Sequence, residues 1–476
     1  MKKQFLISVF SVLAAALLLP VGAVSASAAV LNAPTVEQTV NGITYKKYEY
    51  TDGGKQVLFY GEYKPSKESD YEFVIHNVRN DAGNITRTTV ANIAADYTAK
   101  TGRKVAMATN GDYFYNTGAN VDSLVMDGIV YTIGNFATKH CLGFDNEGNT
   151  AIGRMTETEN FVEITTDLGV YYYEIDKINQ VPEDGEVAVY STAQNVALNG
   201  CCKYKVRTDS TNVLQFAPTN GTFSRMAQGE VIDDKVLSLN SGEFAIVVKG
   251  DNETSRFLYE NIKYGRSCRL VKKPAGAYKG MNYVIGGYSI LVENGVVNTA
   301  CHTDNGGNAN ADRTFIGVKE DGTMFLSVLD GRQTGYSVGC TVNKEAQLAK
   351  ELGAKYALEL DGGGSSTFLF DFNDGNGLIR VNKSSDVAQT GSPRRVSNAV
   401  LLVEKEKAEE PQPPEESGSE GTDSGSDEEY VESSSGSTES SSGGNSVSVG
   451  CVSFAASGLW ALPVAAFALC MKKRRK

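Results

Sequence analysis

The sequence predicts an α/β fold of the α+β kind: mixed, mainly antiparallel β-sheets with a few flanking helices in a single domain. Three observations lead there. The apolar runs are short and rich in Val, Ile, Tyr and Phe, as in YEFVIHNV, VYYYEI, EVAVYS, FAIVVKG, TFIGV, MFLSVL and NAVLLV. Turn sequences such as NEGN, EDGE, ENGV and EDGT separate them, which is the signature of antiparallel strand pairs. Two stretches stand out by carrying apolar residues at helical spacing instead.

In chain order, residues 1–28 come first. Lys2 and Lys3 precede an apolar run from Phe5 to Leu19 and small residues around SASAA, the pattern of a secretory signal peptide cut near Ala28. The mature chain is therefore expected to be exported. Residues 29–70 read as a β-rich N-terminal extension, and residues 71–403 as the main domain, long enough to bury a large core.

Within that domain, Val90, Ile93, Ala94 and Tyr97 form the apolar face of a helix that Gly102 ends. A second helix pairs Leu348 with Leu352 and Ala346 with Ala349, and Gly353 stops it. The sequences that follow are related: GRKVAMATNGD from Gly102 and GAKYALELDGG from Gly353 share Gly, Lys, Ala, an Asn or Asp, and Gly in register. Each reads as helix, tight turn, buried strand and polar loop. The polar loops open at Asn110 and Asp361, at the carboxyl ends of their strands, where open sheets tend to hold ligands. One shared site is the expectation.

After the domain, residues 404–446 are rich in Ser, Gly, Glu and Pro and hold thirteen acids against two lysines. Such a segment buries too little surface to offset ordering and reads as a disordered acidic stalk. It accounts for most of the formal −12, and residues 29–403 retain about −8, so no basic footprint for nucleic acid is present. Residues 447–470 carry no charge and precede the basic tail 471–476, MKKRRK, a pattern expected of a single transmembrane anchor with its cations inside. The expected location is the surface of a Gram-positive cell.

Six cysteines precede the stalk: Cys141, Cys201, Cys202, Cys268, Cys301 and Cys340. Export permits disulfides, but six cysteines allow fifteen pairings. CxxC and Cys/His zinc spacings are absent.

The chemistry concentrates in ELDGGGSSTFLF, Glu359 to Phe370. Each extra glycine costs conformational entropy, so three in a row imply a backbone shaped around something. The run is no Walker loop, because no lysine follows the glycines. The amides of Gly362, Gly363 and Gly364, with the hydroxyls of Ser365 and Ser366, can form a nest for an anion. Asp361 would repel that anion unless cations compensate, and Arg313, Arg332, Arg394 and Arg395 are available to grip phosphate.

NGDYF (110–114), RTFIG (313–317), LDGR (329–332), SVGCT with its helix, LDGGGSST (360–367) and RRVSNAVLLV (394–403) stand in one order. In these motifs, from about Tyr71 to Val403, the chain resembles the phosphodiester glycosidase family, which includes the enzyme that uncovers mannose phosphate by removing N-acetylglucosamine. The resemblance implies a single catalytic domain that cleaves a sugar from a phosphodiester. Where this chain has Asp112, other members carry a different residue, and the position of Glu359 is commonly uncharged in the family.

A phosphodiester is a weak base and can leave unprotonated, so one carboxylate plus phosphate-binding cations and N–H groups suffice. Asp361 is the expected principal carboxylate, or else a cap for turn amides. Asp112 and Asp330 are candidates for the second. Asn110, Arg313, Arg332, Gly362, Gly363, Gly364, Ser365, Ser366, Arg395 and Asn398 are the expected substrate-binding residues. Glu359 is an outside candidate. The sequence assigns no certain cofactor, and the loop with His302, Asp304 and Asn305 could bind calcium through oxygens without matching an EF-hand. The expected substrate is a sugar phosphate or phosphoglycan in a glycan, glycolipid or teichoic-type polymer. A non-catalytic phosphoglycan-binding domain and a metal-dependent phosphodiesterase are the alternatives.

Overall fold

Strands Ile43–Thr51 and Lys55–Tyr63 pair as a hairpin because Thr51 and Lys55 flank a turn with two glycines in positive-φ conformations, Gly53 and Gly54. The structure, a computed structural model, describes residues 30–406 apart from 81–83, 135, 167–168, 192–197, 199, 208–224, 227–238, 240–242, 262–267 and 305. The expected signal peptide, nearly all of the stalk, the anchor, the basic tail and Asn305 lie outside the described residues. Among the described residues no helix is long and apolar enough to cross a membrane.

That hairpin belongs to an eight-stranded sheet, which continues through Met324–Leu329, Arg313–Lys319, Ala354–Glu359 and Ile290–Glu293. A five-stranded sheet runs Leu378–Arg380, Phe368–Asp371, Val105–Asn110, Ala399–Glu404 and Tyr71–His76. Their inner faces enclose the main core, in which Tyr45, Phe59, Ile316 and Leu358 of the first meet Phe73, Met107, Phe368 and Leu401 of the second. Gly61 marks the closest approach: a Cβ there would lie 2.2 Å from Met107 Sδ. Apart from Lys177–Ile178 beside Val187–Tyr190, the described strand pairs named here are antiparallel. The expected α+β architecture is the one observed.

The two expected helices form at Val90–Thr101 and Val342–Glu351. Thr89 and Thr341 cap them by accepting from the amides of Asn92 and Lys344. Gly102 ends the first in a left-handed conformation, φ +74°. The second helix covers the outer face of the large sheet with Val342, Ala346 and Ala349 against Phe315 and Phe325. Short helices at Glu253–Asn261 and Ser385–Thr390 were not legible in the periodicity.

The strands after the two related helices end up in different sheets, Val105–Asn110 in the smaller and Ala354–Glu359 in the larger. The sheets face one another, so both polar loops emerge at one edge of the sandwich. Among the described residues Cys141, Cys268, Cys301 and Cys340 are buried free thiols, and Cys201 is buried as well.

Candidate active site

The two loops are joined directly. Asn110 Nδ2 donates to the Asp361 carbonyl at 2.6 Å, and the Asp361 amide donates to the Gly111 carbonyl at 3.0 Å. Asn110 Oδ1 accepts from the Thr367 amide and from Thr314 Oγ1, which also donates to Ser366 Oγ. Asn110 and Ser366 are fully buried, so both fasten the loops together from beneath.

Each glycine of the 362–364 run answers to a neighbour. A Cβ on Gly362 would lie 2.8 Å from the Asp312 carbonyl, and one on Gly364 would lie 1.9 Å from Asp386 Oδ1 and 2.4 Å from Arg394 Nη2. Gly363 has φ +62°, which favours glycine, and its missing Cβ would sit 3.2 Å from Arg332 Nη1. Of the three glycine amides of the expected nest, that of Gly363 is committed to the Asp312 carbonyl. Two guanidinium groups lie against the turn, Arg332 at Gly363 and Arg394 at Gly364. Arg332 itself holds φ +57°, a strained backbone for a residue with a side chain. Arg394 is aligned by a two-point ion pair with Asp386 at 2.8 and 2.9 Å. Arg395, the expected partner, is exposed, and it is Arg394 that reaches the turn.

Burial pushes the Asp361 carboxyl up to about 6, Glu359 adds to the rise, and the Ser365 hydroxyl, Arg394 and Lys139 hold it back. Ser365 Oγ is buried beside that carboxyl without completing a well-aligned hydrogen bond. Asp361 therefore changes charge near neutrality.

Asp112 is buried, its Oδ2 accepting from the Asp122 amide at 2.9 Å and its own amide donating to Asn398 Oδ1 at 3.0 Å. Burial raises its pKa well above the ordinary carboxylate range, while the Asp122 amide holds it back by more than the Asp122 charge adds. Asp122 is raised for the same first reason, burial. Lys139 faces both, with its ammonium 3.5 Å from the Tyr288 ring centroid and 4.8 Å from that of Tyr113. Asp112 Oδ1, Asp122 Oδ2 and Asn398 Nδ2 are buried without hydrogen-bond partners, a condition native folds seldom tolerate away from a working site.

Two expected residues have other duties. Asp330 is fully buried with both oxygens engaged: Oδ1 accepts from Asn382 Nδ2, and Oδ2 accepts from the Lys383 amide and the Tyr336 hydroxyl. Asn382 in turn donates to the Ser366 carbonyl, so Asp330 braces the glycine turn. Arg313 donates to the carbonyls of Cys340, Gly306, Gly307 and Ala309. Its guanidinium thus holds the loop that follows His302. The carbonyls of Gly306, Gly307 and Ala309 are turned onto this resident cation, and Asp304 is bound to His302 and Tyr288. Among the described residues no group of three or more His, Cys, Asp or Glu side chains could hold a metal.

Glu359 proves central. It is 1% exposed and accepts from His302 Nε2, Tyr113 Oη and the Ser289 amide, with Arg313 Nη1 at 3.7 Å. Asp122, Lys139, Tyr288 and Asp386 escaped the sequence reading because none carries a local signal, and Tyr113, though inside NGDYF, was not singled out; only the fold gathers them. Two wider clefts lie elsewhere, of about 530 Å³ beside Glu62 and Lys319 and about 680 Å³ beside Ala94 and Leu378. Glu62 and Lys319 pair with one another, which leaves that cleft without a free charge.

Residues 192–403 match the model of the phosphodiester glycosidase family, a stretch that takes in Glu359, the glycine turn and both guanidinium groups. The resemblance carried by the motifs thus holds over the second half of the domain. No curated protein matches the chain. Among solved structures, a hypothetical protein from Synechocystis is similar at 17% identity and TM-score 0.46, over 78% of this chain. This chain spans 64% of that protein's length. A protein from Burkholderia pseudomallei is similar at 16% identity and TM-score 0.38, over 73% of this chain and 74% of its own. The catalytic domain of zebrafish N-acetylglucosamine-1-phosphodiester alpha-N-acetylglucosaminidase is similar at 15% identity and TM-score 0.36, over 80% of this chain and 85% of its own.

Proposed function

We propose that the protein hydrolyses the bond between the anomeric carbon of a sugar and the oxygen of a phosphodiester. One observation carries the reading: a carboxyl poised near neutrality, Asp361, opens a glycine turn that two guanidinium groups flank. Arg332 and Arg394 grip the phosphate, and the turn admits it closely because three side chains are missing. Asp361 takes a proton from the attacking water or steadies the positive anomeric carbon. The C–O bond breaks with its electron pair going to the phosphate oxygen, which needs no proton to leave. Asp112, held next to Gly111 on the opposing loop, is the second carboxyl within reach of the site. The substrate class is a sugar-1-phosphodiester in a glycan, glycolipid or teichoic-type polymer outside the cell, with the stalk and C-terminal anchor holding the domain at the surface.

Hydrolysis of defined sugar-1-phosphodiesters in ¹⁸O-labelled water tests this. Label in the free sugar, with an unlabelled phosphomonoester, is expected. Label in the phosphate would mean P–O cleavage, and binding without turnover would mean a recognition domain; either overturns the reading.

A further inference from the structure

His302 touches acceptors with both ring nitrogens. Nε2 lies 3.0 and 2.9 Å from the two oxygens of Glu359, and Nδ1 lies 2.9 Å from both the carbonyl and Oδ1 of Asp304. A carbonyl can only accept, so Nδ1 carries a hydrogen. Both Glu359 oxygens also meet other donors, Tyr113 Oη at 3.1 Å and the Ser289 amide at 3.2 Å, an arrangement that fits Glu359 as acceptor and Nε2 as donor of a second hydrogen. Tyr288 stacks on the imidazole at 3.7 Å between centroids and donates to Asp304, fixing the ring from its face.

Glu359 stands two residues before Asp361, and its charge acts on Asp361 unless something cancels it. Tyr113 faces both carboxylates. We propose that His302 is a positioning residue for Asp361: its imidazolium cancels the charge of Glu359 and so lets Asp361 work as an ionised group. This rests on the hydrolytic reading above. His302 is faced by Asp304 on its own loop, by Glu359 and by Tyr288. Arg313, Glu345 and Cys301 surround Glu359 from the other side, and Lys139 and Arg394 act on Asp361. Burial works against the charged imidazole, but Glu359 and Asp304 outweigh it and leave the His302 pKa raised.

The test is the acid limb of the pH–rate profile in the full-length protein. His302→Gln uncovers Glu359, so the limb is expected to move up by about one pH unit. Glu359→Gln removes a charge that His302 already cancels, so the limb is expected to stay near that of the parent, and the double variant should behave like Glu359→Gln alone. A merely structural role would lower kcat in His302→Gln and leave the limb in place, which overturns the inference, as does a large downward shift in Glu359→Gln. If His302→Gln does not fold, His302→Asn takes its place. Titrating the ¹³C-labelled Asp361 carboxyl by NMR reads the same shifts without turnover, so a protein that hydrolyses no phosphodiester still decides the inference separately from the hydrolytic reading.

Discussion

Asn110 and Asp361 stand 251 positions apart in the chain and 2.6 Å apart in space, the side-chain amide of the first donating to the carbonyl of the second. Two sheets thereby share one edge, and the carboxyl of Asp361 is aimed from a backbone that the opposing loop holds.

Asn110→Ala breaks that clasp. The Thr367 amide and the Asp361 carbonyl lose a buried partner, which costs about 2–4 kcal/mol. Urea denaturation is expected to show the loss, and kcat is expected to fall at temperatures where the variant remains folded.

Asp361→Asn is expected to lower kcat by about 10²- to 10⁴-fold, the range that a positioned proton acceptor supplies. Because burial raises the folded pKa to about 6, the ionised form is disfavoured in the fold, and its cost grows as pH rises above the unfolded value. The variant should therefore melt no lower than the parent at pH 7. In the parent, activity is expected to fall below about pH 6.

Arg332→Ala and Arg394→Ala are each expected to raise KM for the phosphodiester by about 10- to 100-fold, the worth of a charge-assisted contact. Inhibition by inorganic phosphate should weaken in parallel. Gly364→Ala should be worse than either, because its methyl group enters the Asp386 and Arg394 ion pair.

Asp330→Ala is expected to act on stability first. Removing the acceptor of Asn382, Tyr336 and the Lys383 amide leaves buried donors unpaired, at about 2–4 kcal/mol. A variant that kept full stability and lost only turnover would return Asp330 to the chemistry.

His302 links stability to pH with a definite sign. Its folded pKa is raised, so its contribution is full below the ordinary histidine value and is lost as pH rises through the raised one. Urea midpoints measured from pH 6 to pH 9 should decline, and the decline should flatten in His302→Gln.

The helices at Val90–Thr101 and Val342–Glu351 were legible because their apolar spacing, threonine caps and terminal glycines agree with one another. The two polar loops were legible for the same reason: related helix and strand units announce their ends. What local sequence could not convey was the partition of those units between facing sheets, which depends on long-range pairing. Arg313 shows the cost. A lone arginine before an apolar strand reads as a phosphate ligand, whereas the fold turns four carbonyls onto it. Asp122 and Lys139 carry no motif, and only the packing of Tyr113 and Tyr288 brings them to the site.

The interior thiols Cys141, Cys268, Cys301 and Cys340 have a practical meaning. Burial pushes Cys141 and Cys301 up to about 12, and Cys268 and Cys340 also rise, so these four offer almost no nucleophilic sulfur at neutral pH. Alkylating reagents applied to the folded protein should leave all four untouched until a denaturant opens the core.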